Sequence, residues 1–292
     1  AVESCFACRQ VREVIIVDDG SSDNTLNRCL LLKKNNVNLK VYTHEKNENH
    51  GAPTSWNLAI SKATGDYIAI LGADDWFLPN RFDKDQEIFE KQEDVDGVYS
   101  AILASYEIEK SPNKLARDLT TVGYVCPPEN LFSALLGVDK PDFNNFSLNG
   151  LTVKREAILR NNILFQPRLR LHQDSHFCLQ MAYHLTLVPS SIVEPVCRYR
   201  VHENNRITAN AQFSPKFMAN KLLYWDELKK WSVGKELKIK EKFMIYLNHK
   251  LYDTQLATSF RFRTFQFLIE INRIIATNNY AKILKFLTNS AK

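Results

Sequence analysis

Val14-Ile-Ile-Val-Asp-Asp-Gly-Ser-Ser-Asp-Asn-Thr25 reads as a strand running into a turn and then a helix, and every later assignment builds on it. A short β-branched run ends in two carboxylates, a turn rich in Gly, Ser and Asn follows, and Leu26 to Lys33 continues with helical character. A second unit repeats the order: Val37 to Thr43 is strand-like, and Gly51 to Ala63 is a helix with Ala52, Trp56, Ala59, Ile60 and Ala63 on one face. Gly65-Asp66 stops that helix. Tyr67 to Leu71 is a continuous apolar run, the pattern of a strand covered on both faces, and it ends at Gly72-Ala-Asp-Asp75. The alternation predicts an α/β fold around a parallel sheet.

Downstream, a helix is expected from Arg81 to Lys91 and a strand from Gly97 to Tyr106. Ser111 to Asn149 holds four Pro and little periodicity, as binding loops do. Glu156 to Arg160 and Asp174 to His184 read as helices, Thr186 to Val188 and Cys197 to Val201 as strands. From Pro215 the pattern turns helical, with Leu222, Trp225, Leu228 and Trp231 in one segment and Phe267, Leu268, Ile271, Ile274 and Ile275 in another. Two regions are therefore expected, residues 1–209 and a helical C-terminal extension over 210–292.

Composition narrows the function class. The 292 residues are 45% hydrophobic and 11% aromatic, a globular balance that excludes general disorder. The apolar runs are a few residues long where a spanning helix needs about 20. The N-terminus has no basic segment before an apolar stretch, so a cytoplasmic location is expected. Six scattered Cys read as reduced thiols, and Cys5-Phe-Ala-Cys8 as thiols within a helix rather than a redox or zinc motif. From Ala211 onward there are 15 Lys and Arg against 6 Asp and Glu. That basic face, with Lys229, Lys230, Lys235, Lys238, Lys240 and Lys242, is either a solvated helix surface or a peripheral contact with the inner face of a membrane.

Asp18-Asp19 and Asp74-Asp75 each stand at the carboxyl end of an expected strand, the edge where α/β sheets bind ligands. Crowded carboxylates repel unless a divalent cation or ligand donors neutralise them, and oxygen ligands favour Mg²⁺ or Mn²⁺ bridging phosphates. No glycine-rich dinucleotide or ATP motif occurs. Asp18 has a competing role as the cap of the turn or following helix.

These motifs together resemble the family 2 glycosyltransferases of the nucleotide-sugar-binding GT-A fold, over about residues 1–205. Val14 to Thr25 is similar to the family's first acidic motif, Asn49-His-Gly-Ala-Pro-Thr-Ser-Trp-Asn57 to its nucleotide-side helix start, and Gly65 to Asp75 to its metal-binding strand. His172-Gln-Asp174 resembles a Glu-Asp pair opening a helix, and Cys197-Arg-Tyr-Arg-Val-His-Glu-Asn204 a Tyr-Arg-x-His segment. The resemblance implies a GT-A nucleotide-diphospho-sugar transferase fold, a mostly parallel sheet flanked by helices. It further implies that Asp19 binds the base, Asp74 the ribose, and Asp75 a Mn²⁺ or Mg²⁺ cofactor with His202 as second ligand. Asp174 would be the general base, Arg200 a phosphate partner and Trp76 a substrate-facing ring.

The implied activity is inverting transfer from a nucleotide-sugar, most simply a UDP-sugar, to a hydroxyl of a glycan or lipid-linked acceptor in polysaccharide or cell-surface glycan synthesis. Acceptor loops are expected between Lys110 and Leu151, and nucleic acid is not an expected partner. The alternatives are a catalytically inactive nucleotide-sugar-binding module and a sugar-phosphate nucleotidyltransferase. Three positions depart from the family pattern: Gly72 replaces a frequent Asp, Gln173 a Glu, and Trp56 a frequent Arg. The family's first strand is also not recognisable. It ordinarily lies between the strands ending at Asp19 and Asp75, so those two strands are expected not to pair, as in a fragment of a longer protein.

Overall fold

A computed structural model describes residues 1–107, 119–138, 143–202 and 215–257. In chain order, α1 (Val2–Phe6), β1 (Val14–Asp18), α2 (Thr25–Lys34), β2 (Leu39–Thr43), α3 (Ala52–Lys62) and β3 (Tyr67–Ala69) form the first third. β4 (Trp76–Phe77), α4 (Asp83–Lys91), β5 (Gly97–Tyr99), β6 (Ile102–Tyr106), β7 (Leu119–Thr120), α5 (Pro128–Leu135), β8 (Leu151–Lys154) and α6 (Arg155–Arg160) follow. Then come α7 (Gln173–His184), β9 (Leu187–Pro189), β10 (Cys197–Val201), α8 (Pro215–Trp231) and α9 (Ile239–Ala257).

The strands form three sheets, ordered β1-β2, β3-β8-β5-β9 and β4-β10-β6-β7. β1–β2, β5–β9 and β6–β10 run parallel, while β3–β8, β5–β8, β4–β10 and β6–β7 run antiparallel. The α/β layering is as expected. The sheet is not uniformly parallel: β8 enters between β3 and β5 in the opposite sense, and apolar periodicity carries no strand direction. Among the described residues β1 pairs only with β2 and β3 only with β8, so the strands leading to Asp19 and Asp75 do not pair with each other.

The expected strand Gly97 to Tyr106 is two strands in two sheets. The chain leaves the β5 ladder at Ser100, whose N–H donates to the Gly150 carbonyl, and Ala101 donates to Ser191 before β6 begins. Buried residues throughout this stretch made one continuous strand the natural sequence reading. The irregular region also contains α5, which starts at Pro128, a position where the missing N–H is harmless, and buries Leu131, Phe132 and Ala134. Residues 108–118 and 139–142 of the expected acceptor loops, and the segment around Phe267, lie outside the described residues.

One apolar cluster runs from Ile60 of α3 through Tyr99, Phe165, Phe177 and Met181 to Tyr224, Trp225, Leu228, Met244 and Ile245 of α8 and α9. Phe165 stacks on Phe177 at 3.7 Å between centroids, and Trp56 packs on Phe165 at 4.7 Å. Trp56 is thus a core side chain at the position where Arg is frequent. A second cluster holds Cys5, Cys8, Phe77, Phe82, Ile102 and Cys197, with Val14 and Leu71 against it, so α1 packs where β1 and β3 both lead. All six thiols are free, and burial first of all pushes Cys5 up to about 11 and Cys197 to about 12, as inert core thiols behave.

Candidate active site

Asp18 and Asp19 end β1 and take different roles. Asp18 is 4% exposed; its Oδ2 accepts from the Ser21 N–H at 3.0 Å, the turn-capping reading, while its buried Oδ1 has no partner. Gly20 then turns the chain at φ +73°, where a Cβ would also stand 2.7 Å from the Asn47 carbonyl. Asp19 points toward the start of α3. Its carboxylate accepts from the N–H groups of His50 at 2.8 Å and Gly51 at 3.0 and 2.8 Å, and His44 Nε2 lies 3.5 Å away. The amide of Asn49 donates to the Asp19 carbonyl at 2.8 Å. A carboxylate offers about four acceptor positions, so Asp19 fixes the helix start and keeps part of its capacity for a ligand.

Asp74 and Asp75 follow β3 at a tight turn in which Asp75 N–H donates to the Gly72 carbonyl at 3.1 Å. Asp75 Oδ1 accepts from the Arg200 backbone N–H at 2.9 Å, and Oδ2 from the Asn149 amide at 2.6 Å. The Gly72 N–H in turn donates to Asn149 Oδ1 at 3.2 Å, closing a ring of three residues. Burial raises the pKa of Asp75, the Arg200 and Asn149 bonds oppose it, and the Asp74 charge adds to the rise. A Cβ at position 72 would stand 2.4 Å from Asp75 Oδ2, so the folded-back carboxylate requires a glycine there. His202 Nε2 lies 3.2 Å from Asp74 Oδ2, which brings the end of β10 to the same corner.

Arg200 and Trp76 are placed as follows. It is the Arg200 backbone that touches Asp75; its guanidinium reaches Glu107 at 3.6 Å on the surface. Trp76 is half-buried in β4, on the opposite face from the core residue Phe77, so it faces away from the second apolar cluster.

Sequence reasoning missed Asn149 and the residues behind it. Arg81 is fully buried between the rings of Phe77 and Phe82, 5.0 and 4.5 Å from their centroids. Its guanidinium donates to the carbonyls of Asn149 at 3.2 Å and Leu151 at 2.9 Å, and to Asp85 at 2.8 Å. Asp85 also accepts from Thr152 Oγ1 at 2.6 Å. This buried fork sets the height of Asn149 and hence of Asp75. The i,i+4 spacing of Arg81 and Asp85 is visible in sequence, but it ordinarily marks an exposed pair.

Asp174 lies in the first turn of α7, whose N-terminal neighbour His172 adopts a left-handed φ of 62°. The side chain is exposed. What burial it has raises its pKa, against the Ser175 N–H at 2.9 Å, its own N–H and the Lys221 charge, which lower it. Burial drives His172 down to about 3 and His176 to about 4, so both rings are neutral. Both rings pack against Tyr224, with centroids 5.7 and 6.5 Å away.

The structure brings Asp74, Asp75, Arg200 and His202 together, and separately Asp18 and Asp19. Among the described residues no hydrogen bond or ion pair joins Asp19, Asp75 and Asp174 to one another. The link is Arg170, four residues before Asp174. It lies against Gly51, where a Cβ would stand 1.8 Å from its Nη1, and Nη1 is 3.5 Å from Asn49 Oδ1.

Comparison with known proteins bears on the whole arrangement. The profile of Glycosyl transferase family 2 matches residues 1–133. EpsH of Bacillus subtilis is 26% identical over 193 residues, covering 65% of this chain and 52% of that protein, so the chain spans about half the length of this relative. The structure of Staphylococcus aureus TarS (residues 1–349) in complex with UDP-GlcNAc superposes with a TM-score of 0.61 at 17% identity, covering 87% of this chain and 68% of that one. The mannosyltransferase PcManGT from Pyrobaculum calidifontis, in complex with GDP-Man and Mn²⁺, gives 0.54 at 14% identity, covering 99% and 74%. With its acidic strand ends in the family's order and its layers those of GT-A glycosyltransferases, the chain carries, over residues 1–133, a domain of glycosyl transferase family 2.

Proposed function

We propose that the chain transfers a sugar from a nucleotide-sugar donor, most simply a UDP-sugar, to a hydroxyl of a glycan or lipid-linked acceptor during polysaccharide or cell-surface glycan synthesis, with inversion at the anomeric carbon. The observation that carries this reading is the Asp75 carboxylate, half-buried and held on both oxygens beside the Asp74–His202 pair. The comparisons support it through relatives whose structures hold UDP-GlcNAc, or GDP-Man with Mn²⁺.

The donor set fits a hard divalent ion: Asp75 and His202 would hold it, with Asp74 beside them. Among the described residues no group of three or more His, Cys, Asp or Glu could hold a metal unaided, so the diphosphate of the donor would supply further ligands, as Mn²⁺ and Mg²⁺ sites commonly arrange. When bound, the ion stabilises the negative charge that gathers on the departing diphosphate.

The protein's own residues set the rest. Asp19 and the α3 start it caps would receive the base, Asp74 the ribose, and Arg200 a phosphate, while Trp76 would border the sugar. The acceptor oxygen forms its bond to the anomeric carbon as the bond to the diphosphate breaks, and the electron pair leaves with the nucleoside diphosphate. The hydroxyl proton passes to Asp174, whose proton affinity is raised above that of an ordinary aspartate.

Among the described residues no helix is long and apolar enough to cross a membrane. In the described part of the basic segment, Lys230 pairs with Asp226 and Glu227, and Lys235 lies over the Tyr183 and Trp231 rings, so part of that charge is used internally. A peripheral role at the inner face of a membrane would draw on the exposed Lys229, Lys238 and Lys242.

Incubation with a panel of nucleotide sugars and Mn²⁺ tests the reading through nucleoside diphosphate release and ligand-dependent rise in melting temperature. One donor should do both, and Asp75→Ala should abolish the release. Failure of every donor to stabilise the protein or be cleaved would refute it.

A further inference from the structure

β1 and β2 end side by side, and the residues just past their ends meet. The parallel ladder pairs Asp18 with Thr43, so Asp19 and His44 are the next positions along the two strands. His44 is still extended, with φ −73° and ψ 162°, and its side chain is 9% exposed. Its Nε2 lies 2.8 Å from Ser55 Oγ of α3 and 3.5 Å from Asp19 Oδ1. The His50 ring packs on the His44 ring with centroids 4.7 Å apart, which restricts its rotation.

One nitrogen therefore faces two oxygens. A lone pair on Nε2 would repel the Asp19 carboxylate, so Nε2 is the protonated nitrogen: it donates to Ser55 Oγ and turns its partial positive charge toward Oδ1. This is not the arrangement of a serine nucleophile, which needs hydroxyl and carboxylate on opposite ring nitrogens, and Ser55 is buried. The contact acts on Asp19 instead, and it makes the two carboxylate oxygens unlike. Oδ1 meets the N–H groups of His50 at 2.8 Å and Gly51 at 3.0 Å together with the His44 ring. Among the described residues Oδ2 meets the Gly51 N–H alone, at 2.8 Å. Each carboxylate oxygen has about two acceptor positions, so Oδ1 is filled and Oδ2 keeps one.

We propose that His44 is a positioning residue that sets which base Asp19 accepts. By occupying Oδ1 it leaves a single acceptor, which matches a base with one ring N–H between two carbonyls, as in uracil. Guanine presents two adjacent N–H donors and needs both oxygens, so one of its donors would stay unpaired, at a cost in affinity. The base selectivity rests on the proposed function; the hold on Asp19 does not.

The test has two arms. In the first, without ligand, hydrogen exchange is followed at the amides of His50 and Gly51, with those of β5 as the control for folding. His44→Phe keeps a ring against His50 but removes Nε2, and should speed exchange at both amides about tenfold while β5 stays protected. His44→Gln, whose side-chain amide nitrogen reaches the Nε2 position, should restore the slow rate. Unchanged exchange in His44→Phe, or faster exchange that His44→Gln does not correct, overturns the proposal; His44→Leu takes the place of His44→Phe if β5 loses protection there. In the second, UDP and GDP are titrated by calorimetry in the presence of Mn²⁺. The wild-type protein should bind UDP more tightly, His44→Phe should narrow the ratio of the two affinities about tenfold, and His44→Gln should restore it. Tighter binding of GDP by the wild type, or an equal loss for both nucleotides with the ratio unmoved, also overturns the proposal. If neither nucleotide binds while the exchange results stand, the transferase reading fails and the hold of His44 on Asp19 remains established.

Discussion

Asp75 and Asp174 are both raised by burial, but the chain treats them in opposite ways. Asp75 is gripped on each oxygen, by a backbone N–H and a side-chain amide, and a glycine clears space behind it. Asp174 has its own helix's N–H groups as partners and is exposed to solvent. A carboxylate that must bind is immobilised with its lone pairs aimed; one that must take a proton is left with free acceptor capacity and elevated proton affinity. The difference teaches that one residue type, in two environments of the same protein, is suited to two jobs.

The sharpest way to break this contrast is to neutralise each carboxylate in turn. Asp174→Asn should lower transfer by about 10²–10⁴-fold, the usual contribution of a general base, while the stabilisation by donor and Mn²⁺ in a thermal melt survives. Asp75→Ala should remove that stabilisation as well. If Asp174→Asn abolished donor binding, the division of labour would be wrong.

The grip on Asp75 depends on the buried fork beneath it. Arg81→Met leaves Asp85, 2% exposed, without its cation, and should cost about 3–5 kcal/mol in a urea titration, the range for breaking a buried pair. A change within about 0.5 kcal/mol would show that the fork is dispensable.

Gly72→Ala probes the same grip from the other side. The new Cβ displaces the Asp75 carboxylate, so donor affinity should fall about tenfold, or about 1.4 kcal/mol, with a smaller change in urea midpoint. Equal affinity in the two proteins would mean that the carboxylate swings into place only when ligand arrives.

The smallest effect lies outside the pair, at a carboxylate with a purely structural task. Burial works upward on Glu13, but Lys40, Thr64 and Gly65 outweigh it and hold the group at about 2, below its ordinary 4.5. The folded pKa is depressed, so its stabilisation is present above the unfolded value and is lost as pH falls through the folded one. Glu13→Gln should cost about 1 kcal/mol near neutral pH, and the gap between the two urea midpoints should narrow from about pH 5 toward about pH 2.

Much of this was legible in the residues. The β1 turn, α3, the Asp74-Asp75 turn, α7 and β10 lie where local periodicity and punctuation placed them, because each is set by contacts among near neighbours. The jump from β5 to β6 was not, since buried residues on both sides of Ser100 look alike along the chain. α5 was hidden by its two prolines, which read as a loop until Pro128 is seen opening a helix.

The amino-acid sequence by itself determined which carboxylates stand at strand ends and in what order, since that information is local and carried by residue type. Only the tertiary structure decided which of them are held and which stay open to react. Asn149 reaches Asp75 across 74 residues, and the Arg200 N–H reaches it across 125, contacts of the packed whole that no single stretch encodes.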